Sequence, residues 1–189
     1  RYPLVFSPDA NFLAVPTRQG NTQVWDIAAK KKLYTLDSGN WIGQAPVFSR
    51  DGKLLATAAA GNVVRIWRIS DGNRQAEITV CPSRAVAIAF APDGETLAMV
   101  HGSRSVRLAS TTDGAMRHDY ETHRGAVTGL AFVPGRSAIV SAGLDGKCIF
   151  WPQWEGGPAS ASDVGQPLHR LTVSPAGVKP QRVVACGRE

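Results

Sequence analysis

Three side chains between His123 and Asp145 are of the types that build a nucleophilic catalytic site. Ser141 supplies a hydroxyl, His123 a base, and Asp145 a carboxylate that could orient the base. Such a site also needs an exposed nucleophile, an oxyanion hole and a pocket. The sequence contains no G-x-S-x-G turn, and the order His, Ser, Asp matches none of the three well-known triads. We therefore interpret the three residues as structural and predict no catalytic residue.

Metal and phosphate chemistry have no sequence motif here. The four histidines show neither i, i+4 pairing nor cysteine neighbours, and the phosphate-binding loops G-x-x-x-x-G-K-[ST] and G-x-G-x-x-G are absent from the sequence. We predict no metal and no cofactor. The longest apolar stretches, such as Ala85–Ala91, are too short to span a bilayer, so no membrane partner is predicted.

Cysteine usage favours a reducing compartment. The chain has three cysteines: Cys81, Cys148 and Cys186. An odd, sparse set without C-x-x-C spacing is typical of intracellular proteins, so we predict a cytoplasmic location. Cys148 falls at an inward-facing strand position of the repeat described next, which indicates a small buried apolar residue.

A repeat of 42 residues organises the chain. Phe6, Phe48, Phe90 and Phe132 follow one another at that spacing. Nineteen residues after them come Trp25, Trp67, Ala109 and Trp151. A tight-turn signal and then an apolar run follow each Phe. Self-similarity at about 40–45 residues is typical of a propeller blade of four strands.

These repeats resemble the WD-repeat family, whose repeats carry F-S-P-D-G, then L-A-S, then V-x-I-W-D. Val24-Trp25-Asp26 and Val64-Arg65-Ile66-Trp67 match that pattern closely. The resemblance implies an all-β fold, a β-propeller of four-stranded antiparallel blades, and a non-catalytic binding role. It also implies that four residues of the fourth repeat form a structural hydrogen-bond tetrad: His123, Ser141, Asp145 and Trp151. The other repeats lack the complete set.

The predicted blades cover residues 1–40, 41–82, 83–124 and 125–166, with a partial fifth blade at 167–189. The stretch Gly156–Ser162 is predicted as a loop-like insertion, and Leu171–Pro175 as the start of the fifth blade. The sequence holds about 4.5 blades, and although closed propellers have typically four to eight, a half blade at the end cannot close a ring. Three arrangements remain open: a longer parent chain, commonly of seven blades; a second copy that completes the ring; or a closed four-blade ring with a trailing arm. We favour the first.

The charge balance is basic. Lys and Arg number 21 against 15 Asp and Glu, and fifteen of the 21 are Arg. Such a balance is compatible with nucleic acid or an acidic protein, or with dispersed surface charge. The one run of three basic residues, Lys30–Lys32, begins an outer strand, where it is predicted to protect a sheet edge.

The family register groups seven residues on one rim, which the resemblance implies is the usual partner-binding face. They are Arg18, Asn40, Trp41, Ile42, Arg84, Arg104 and Arg124. An exposed Trp among several Arg is typical of interface hot spots, although Trp41 could instead pack beneath its own loop. Arg also forks onto carboxylate or phosphate. We predict a protein-interaction scaffold, part of a larger regulatory protein, that binds an acidic or phosphorylated peptide. The alternative is a nucleic-acid-associated scaffold that uses the same rim.

Overall fold

The structure is a computed structural model that describes residues 4–39, 45–60, 62–80, 85–101, 104–121, 123–133, 138–152, 160–173 and 183–187. Eighteen strands and no helix lie within these ranges. It follows that none of the described segments is a helix able to cross a membrane.

The strands form five antiparallel sheets in chain order. The first sheet contains β1 (Val5–Phe6), β2 (Phe12–Pro16), β3 (Thr22–Asp26) and β4 (Lys31–Leu36). The second contains β5 (Val47–Phe48), β6 (Leu54–Ala59), β7 (Val63–Arg68) and β8 (Arg74–Thr79). The third contains β9 (Ala85–Phe90), β10 (Thr96–His101), β11 (Ser105–Ser110) and β12 (Met116–Glu121). The fourth contains β13 (Val127–Phe132), β14 (Ala138–Gly143), β15 (Lys147–Pro152) and β16 (Ser160–Asp163). The fifth contains β17 (Leu168–Val173) and β18 (Val183–Gly187).

Each four-stranded sheet is a meander in which sequence neighbours pair. The pairing register repeats with the sequence. In the second sheet Phe48 pairs with Leu55, which pairs with Trp67 on the next strand. The prediction of an all-β fold of four-stranded antiparallel blades is confirmed.

Apolar side chains fill the spaces between successive sheets. In the second sheet, Leu55 and Trp67 pack towards the first sheet, whereas Val64 and Ile66 pack towards the third. Both faces of such a sheet are therefore covered, which is why its strands carry apolar residues at consecutive positions. The first strands of neighbouring sheets contact one another and so line a common axis.

The row of sheets is open in the described part of the chain. The fifth sheet packs on the fourth, where Thr128 Oγ1 donates to the carbonyl of Leu168 at 2.6 Å. At the other end, the side chain of Phe6 is 58% exposed, whereas the equivalent Phe48 and Phe132 are buried. The closed four-blade ring with a trailing arm is therefore not the arrangement of this structure.

The predicted insertion after Trp151 contains the outer strand of the fourth sheet. Residues Ser160–Asp163 form β16, which pairs with β15. All four side chains are exposed, so the strand is held by its backbone pairing with β15. The prediction of a loop was therefore wrong for residues 160–162, while residues 156–159 lie outside the described ranges. Strand β17 also begins three residues before the predicted start at Leu171.

Candidate functional site

Four side chains of the fourth sheet form one hydrogen-bond chain. The Trp151 indole Nε1 donates to Ser141 Oγ at 2.9 Å, and this oxygen lies 2.8 Å from His123 Nε2. His123 Nδ1 lies 3.0 Å from both carboxylate oxygens of Asp145. A neutral histidine protonated on Nδ1 satisfies every group, because Ser141 then donates to Nε2 and His123 donates to Asp145. The structure thus brings together all four residues of the predicted tetrad.

Asp145 joins the segment before β13 to the turn between β14 and β15. Besides its contact with His123, its carboxylate accepts hydrogen bonds from the backbone NH groups of Arg124, at 2.9 Å, and Lys147, at 3.2 Å. Burial raises the pKa of Asp145, but the hydrogen bonds from these three residues outweigh burial and lower its pKa below the usual value. The carboxylate is therefore ionised at neutral pH, with partners on both segments.

Gly143 makes room for the tetrad. A Cβ atom at this position would lie 2.7 Å from His123 Nδ1 and 2.8 Å from Asp145 Oδ1, closer than real side chains approach. Sequence reasoning did not single out Gly143. The available signal was a glycine at the end of strand β14, two residues after Ser141, a placement that often marks close approach of another group.

The tetrad has the hydrogen bonds of a Ser-His-Asp catalytic triad, but its serine and histidine are buried away from solvent. Ser141 is fully buried and His123 is 4% exposed. Trp151, which is also fully buried, donates to the Ser141 oxygen that would have to attack a substrate. Because nucleophilic catalysis needs an accessible oxygen beside a pocket, this arrangement can tie strands together but cannot reach a substrate.

The first two sheets keep only parts of this arrangement. In the second sheet Trp67 Nε1 donates to Thr57 Oγ1 at 2.9 Å, which reproduces the Trp151–Ser141 bond. In the first sheet Trp25 Nε1 donates to Gln23 of the same strand at 3.2 Å. The incomplete sets agree with the sequence, in which only the fourth repeat carries all four tetrad residues.

Two arginines 42 residues apart form an equivalent ion pair in the second and third sheets. Arg65 in β7 pairs with Glu77 in β8 at 2.9 Å, and Arg107 in β11 pairs with Asp119 in β12 at 2.6 Å. In both cases the acid follows the arginine by twelve residues. We call these two pairs the arginine clamps. Sequence reasoning missed them, although the recurrence of the spacing was a visible signal.

Each arginine clamp also holds the preceding sheet. Arg65 Nη1 donates to the carbonyl of Asp37, which follows the last strand of the first sheet, at 2.8 Å. Arg107 Nη1 donates to the carbonyl of Thr79, in the last strand of the second sheet, at 3.3 Å. The clamps therefore link the second sheet to the first and the third sheet to the second. The repeats that form the second and third sheets lack the His–Asp pair.

The predicted rim is described at three of its seven positions. Arg18 lies between β2 and β3, Arg104 between β10 and β11, and Arg124 before β13, and all three are exposed. In these meanders, the loop between the second and third strands and the loop before the first strand lie at the same end of the strands. We call Arg18, Arg104 and Arg124 the arginine rim. The other four predicted positions, Asn40, Trp41, Ile42 and Arg84, lie outside the described residues.

Metal-ligating side chains do not cluster in the described ranges, where no group of three or more His, Cys, Asp or Glu could hold an ion. Cys148 is buried, as its repeat position predicts. Burial raises the pKa of its thiol, so the sulfur stays protonated at neutral pH and unreactive.

Two family models match the chain. The model described as WD domain, G-beta repeat matches residues 30–68, and the Anaphase-promoting complex subunit 4 WD40 domain matches residues 62–135. Together they extend from residue 30 to residue 135, more than half of the chain. No curated protein matches the chain. WD40 domains generally act as protein-interaction scaffolds and are typically non-catalytic. With these matches, the 42-residue register and the row of four-stranded sheets, the chain belongs to the WD-repeat family.

Proposed function

We propose that the chain is a non-catalytic, intracellular protein-interaction platform whose arginine rim captures an acidic or phosphorylated peptide. The observation that carries this proposal is the exposure of Arg18, Arg104 and Arg124 at one end of the strands in three different sheets. Exposed guanidinium groups bind carboxylates and phosphates through paired hydrogen bonds. WD40 domains in general bind proteins or peptides, which is consistent with this use of the rim.

A role within a larger assembly is part of the proposal. The model matched over residues 62–135 is named for a subunit of a complex, the Anaphase-promoting complex. The exposed side chain of Phe6 supports the presence of a neighbour on the outer face of the first sheet. That neighbour is a further repeat of the parent chain or a second copy.

The test is the binding of a labelled phosphoserine peptide and of its unphosphorylated form, followed by fluorescence anisotropy. Removing three charges from the rim (Arg18→Gln, Arg104→Gln and Arg124→Gln together) should weaken capture of the phosphopeptide by about tenfold or more. Trp41→Ala, chosen from the sequence, should cost about 2 kcal/mol of binding free energy if Trp41 is a hot spot. The melting temperature should not change in either variant.

The matched control removes three charges elsewhere. Replacing all of Lys30–Lys32 by Gln changes the net charge by the same amount at the start of the outer strand of the first sheet, with Lys30 in the turn before it. Equal loss of binding in this variant and in the rim variant would mean that only net charge matters, which contradicts a defined binding rim.

The second candidate function is a nucleic-acid-associated scaffold. Its support is the net charge of +6, to which fifteen arginines contribute. Binding dominated by phosphates weakens steeply as salt is raised, because counterions are released. Titrations of random duplex DNA and of the phosphopeptide between low and physiological salt separate the two candidates. Tighter binding of the DNA, with a salt slope that the rim variant reduces, would favour this second function.

A further inference from the structure

A cavity of about 550 Å³ opens at the end of the strands opposite the arginine rim. It is bordered by the turns between first and second strands in three successive sheets. Its lining includes the apolar side chains of Phe12, Leu54 and Ile69, contributed by the first and second sheets. The volume falls within the range of small-molecule pockets, about 300–1,000 Å³.

Carboxylates from the same three sheets line the cavity: Asp9, Asp51, Asp93 and Glu95. A hydrogen bond from the Ser7 hydroxyl is the main cause that lowers the pKa of Asp9. Burial raises the pKa of Asp51, but hydrogen bonds within its own turn outweigh burial and lower it. Both carboxylates are therefore ionised at neutral pH.

The two cations in the lining do not balance these charges. The Arg68 guanidinium is already paired with Asp71 at 2.9 Å. Lys53 lies 3.7 Å from Asp51, and its side chain is 81% exposed, so this pair contributes little. The lining of the cavity therefore carries a net negative charge. The ammonium of Lys53 beside Asp51 shows where a cation can approach these carboxylates.

We infer that this cavity binds a lysine side chain from a basic segment of a partner protein. The apolar lining suits the aliphatic stem of lysine, and the carboxylates suit its ammonium group. The inference goes beyond the proposed function, because the cavity has the opposite charge and lies at the other end of the strands from the arginine rim.

A pair of peptides isolates the chemistry. The probe is a fluorescein-labelled dodecapeptide with one central lysine in an otherwise neutral sequence, and its partner carries norleucine, which keeps the stem without the charge. We expect the 189-residue chain to bind the lysine peptide and to bind the norleucine peptide about fivefold more weakly, because an exposed ion pair of this kind is worth at most about 1 kcal/mol. Equal binding of the two peptides would overturn the inference.

Two substitutions with opposite expected effects test the location. Glu95→Gln removes one exposed carboxylate and should weaken binding of the lysine peptide about three- to fivefold. Lys53→Ala removes the competing ammonium and should strengthen binding, a result that damage to the fold would not produce. Thermal unfolding of both variants verifies that they remain folded.

Matched controls carry the same charge changes outside the cavity. Asp37→Asn removes an exposed carboxylate that follows β4, at the rim end of the strands, and Lys32→Ala removes a lysine from the outer strand of the first sheet. Neither should change the affinity for the lysine peptide. Effects equal to those of Glu95→Gln and Lys53→Ala would show that net charge, not the cavity, governs binding and would overturn the inference. The rim variant should bind this peptide normally, which keeps this test separate from that of the proposed function.

Discussion

The side chains of a hydrolytic site are present in Ser141, His123 and Asp145, but here they form a buried structural hydrogen-bond network. The Ser141 oxygen accepts a hydrogen bond from Trp151 and lies against His123, with no exposed surface of its own. A buried network in which every group is satisfied stiffens the strands that carry it. Its members depend on one another, since loss of one leaves another buried and unpaired.

Removing the histidine should therefore destabilise the fold without removing an activity. His123→Ala leaves Ser141 and Asp145 without their shared partner, and we expect the free energy of unfolding to fall by about 1–3 kcal/mol. Denaturant unfolding at neutral pH measures this change. The structural interpretation would be wrong if a hydrolase activity were found and were lost in both His123→Ala and Ser141→Ala while folding remained intact.

Asp145 should make stability depend on pH in the acid range. Its pKa is lower in the folded state than its ordinary value of 3.8, so the unfolded chain binds the proton more readily. Its stabilisation is complete above that ordinary value and is lost as pH falls through the lower, folded pKa. The difference in unfolding free energy between the wild type and Asp145→Asn should therefore be largest above about pH 5 and shrink towards pH 2. A difference that stays constant across this range would contradict the prediction.

At the scale of the strands, the tetrad ties together the strands of the fourth sheet, whereas the arginine clamps join the second and third sheets to the sheets before them. Arg107 is 11% exposed, pairs with Asp119 and bonds to the carbonyl of Thr79 in the preceding sheet. Arg107→Met keeps the aliphatic stem but loses both contacts, and we expect a loss of about 1–2 kcal/mol in unfolding free energy, allowing for partial solvent screening.

The control for this prediction is an ion pair that stays within one turn. Arg68 pairs with Asp71 three residues away, and both side chains are substantially exposed. Arg68→Met should change the unfolding free energy by less than about 0.5 kcal/mol. Comparable losses in the Arg68 and Arg107 variants would show that the contact with the preceding sheet contributes nothing.

Strands with a strong apolar pattern could be placed from the sequence, and a strand without one could not. The run Leu54–Ala58 was predicted because its apolar residues follow a turn signal at a fixed place in the repeat, and the observed strand covers Leu54–Ala59. Strand β16 has the sequence Ser-Ala-Ser-Asp and buries none of its side chains, so no pattern revealed it. Its pairing with β15 depends on backbone groups that every residue possesses.

The same distinction applies to the candidate sites. The tetrad residues could be named in advance, because their spacing within one repeat matches a known pattern. The cavity could not, since Asp9, Asp51 and Asp93 come together only through the packing of three sheets. Each of these residues alone reads as an ordinary turn residue. Their recurrence at the 42-residue spacing is visible in the sequence, but the cavity that they line forms only once the sheets stand side by side.

At the scale of the whole molecule, the two proposed binding surfaces, the arginine rim and the cavity, differ in charge. Exposed arginines lie at one end and a cavity lined with carboxylates at the other. The net charge of +6 therefore does not describe either surface by itself. A platform with these two surfaces could hold two different segments at once, one acidic and one basic. Titrating each peptide in the presence of the other would reveal whether the two compete.

The outer face of the first sheet should make these 189 residues associate in solution. Leu4, just before the first strand, and Phe6, on that strand, are each 58% exposed. The Phe position is buried in the second and fourth sheets, where a neighbouring sheet covers it. Large exposed apolar side chains that lie together favour association. Phe6→Glu should therefore lower the mass measured by multi-angle light scattering towards the 20.1 kDa of one chain. Met116→Glu is the matched control, because Met116 is 59% exposed but lies on the outer strand of the third sheet, away from this face. A wild-type chain that is monomeric at all concentrations, or an equal effect of both substitutions, would show that the first sheet does not present an associating face.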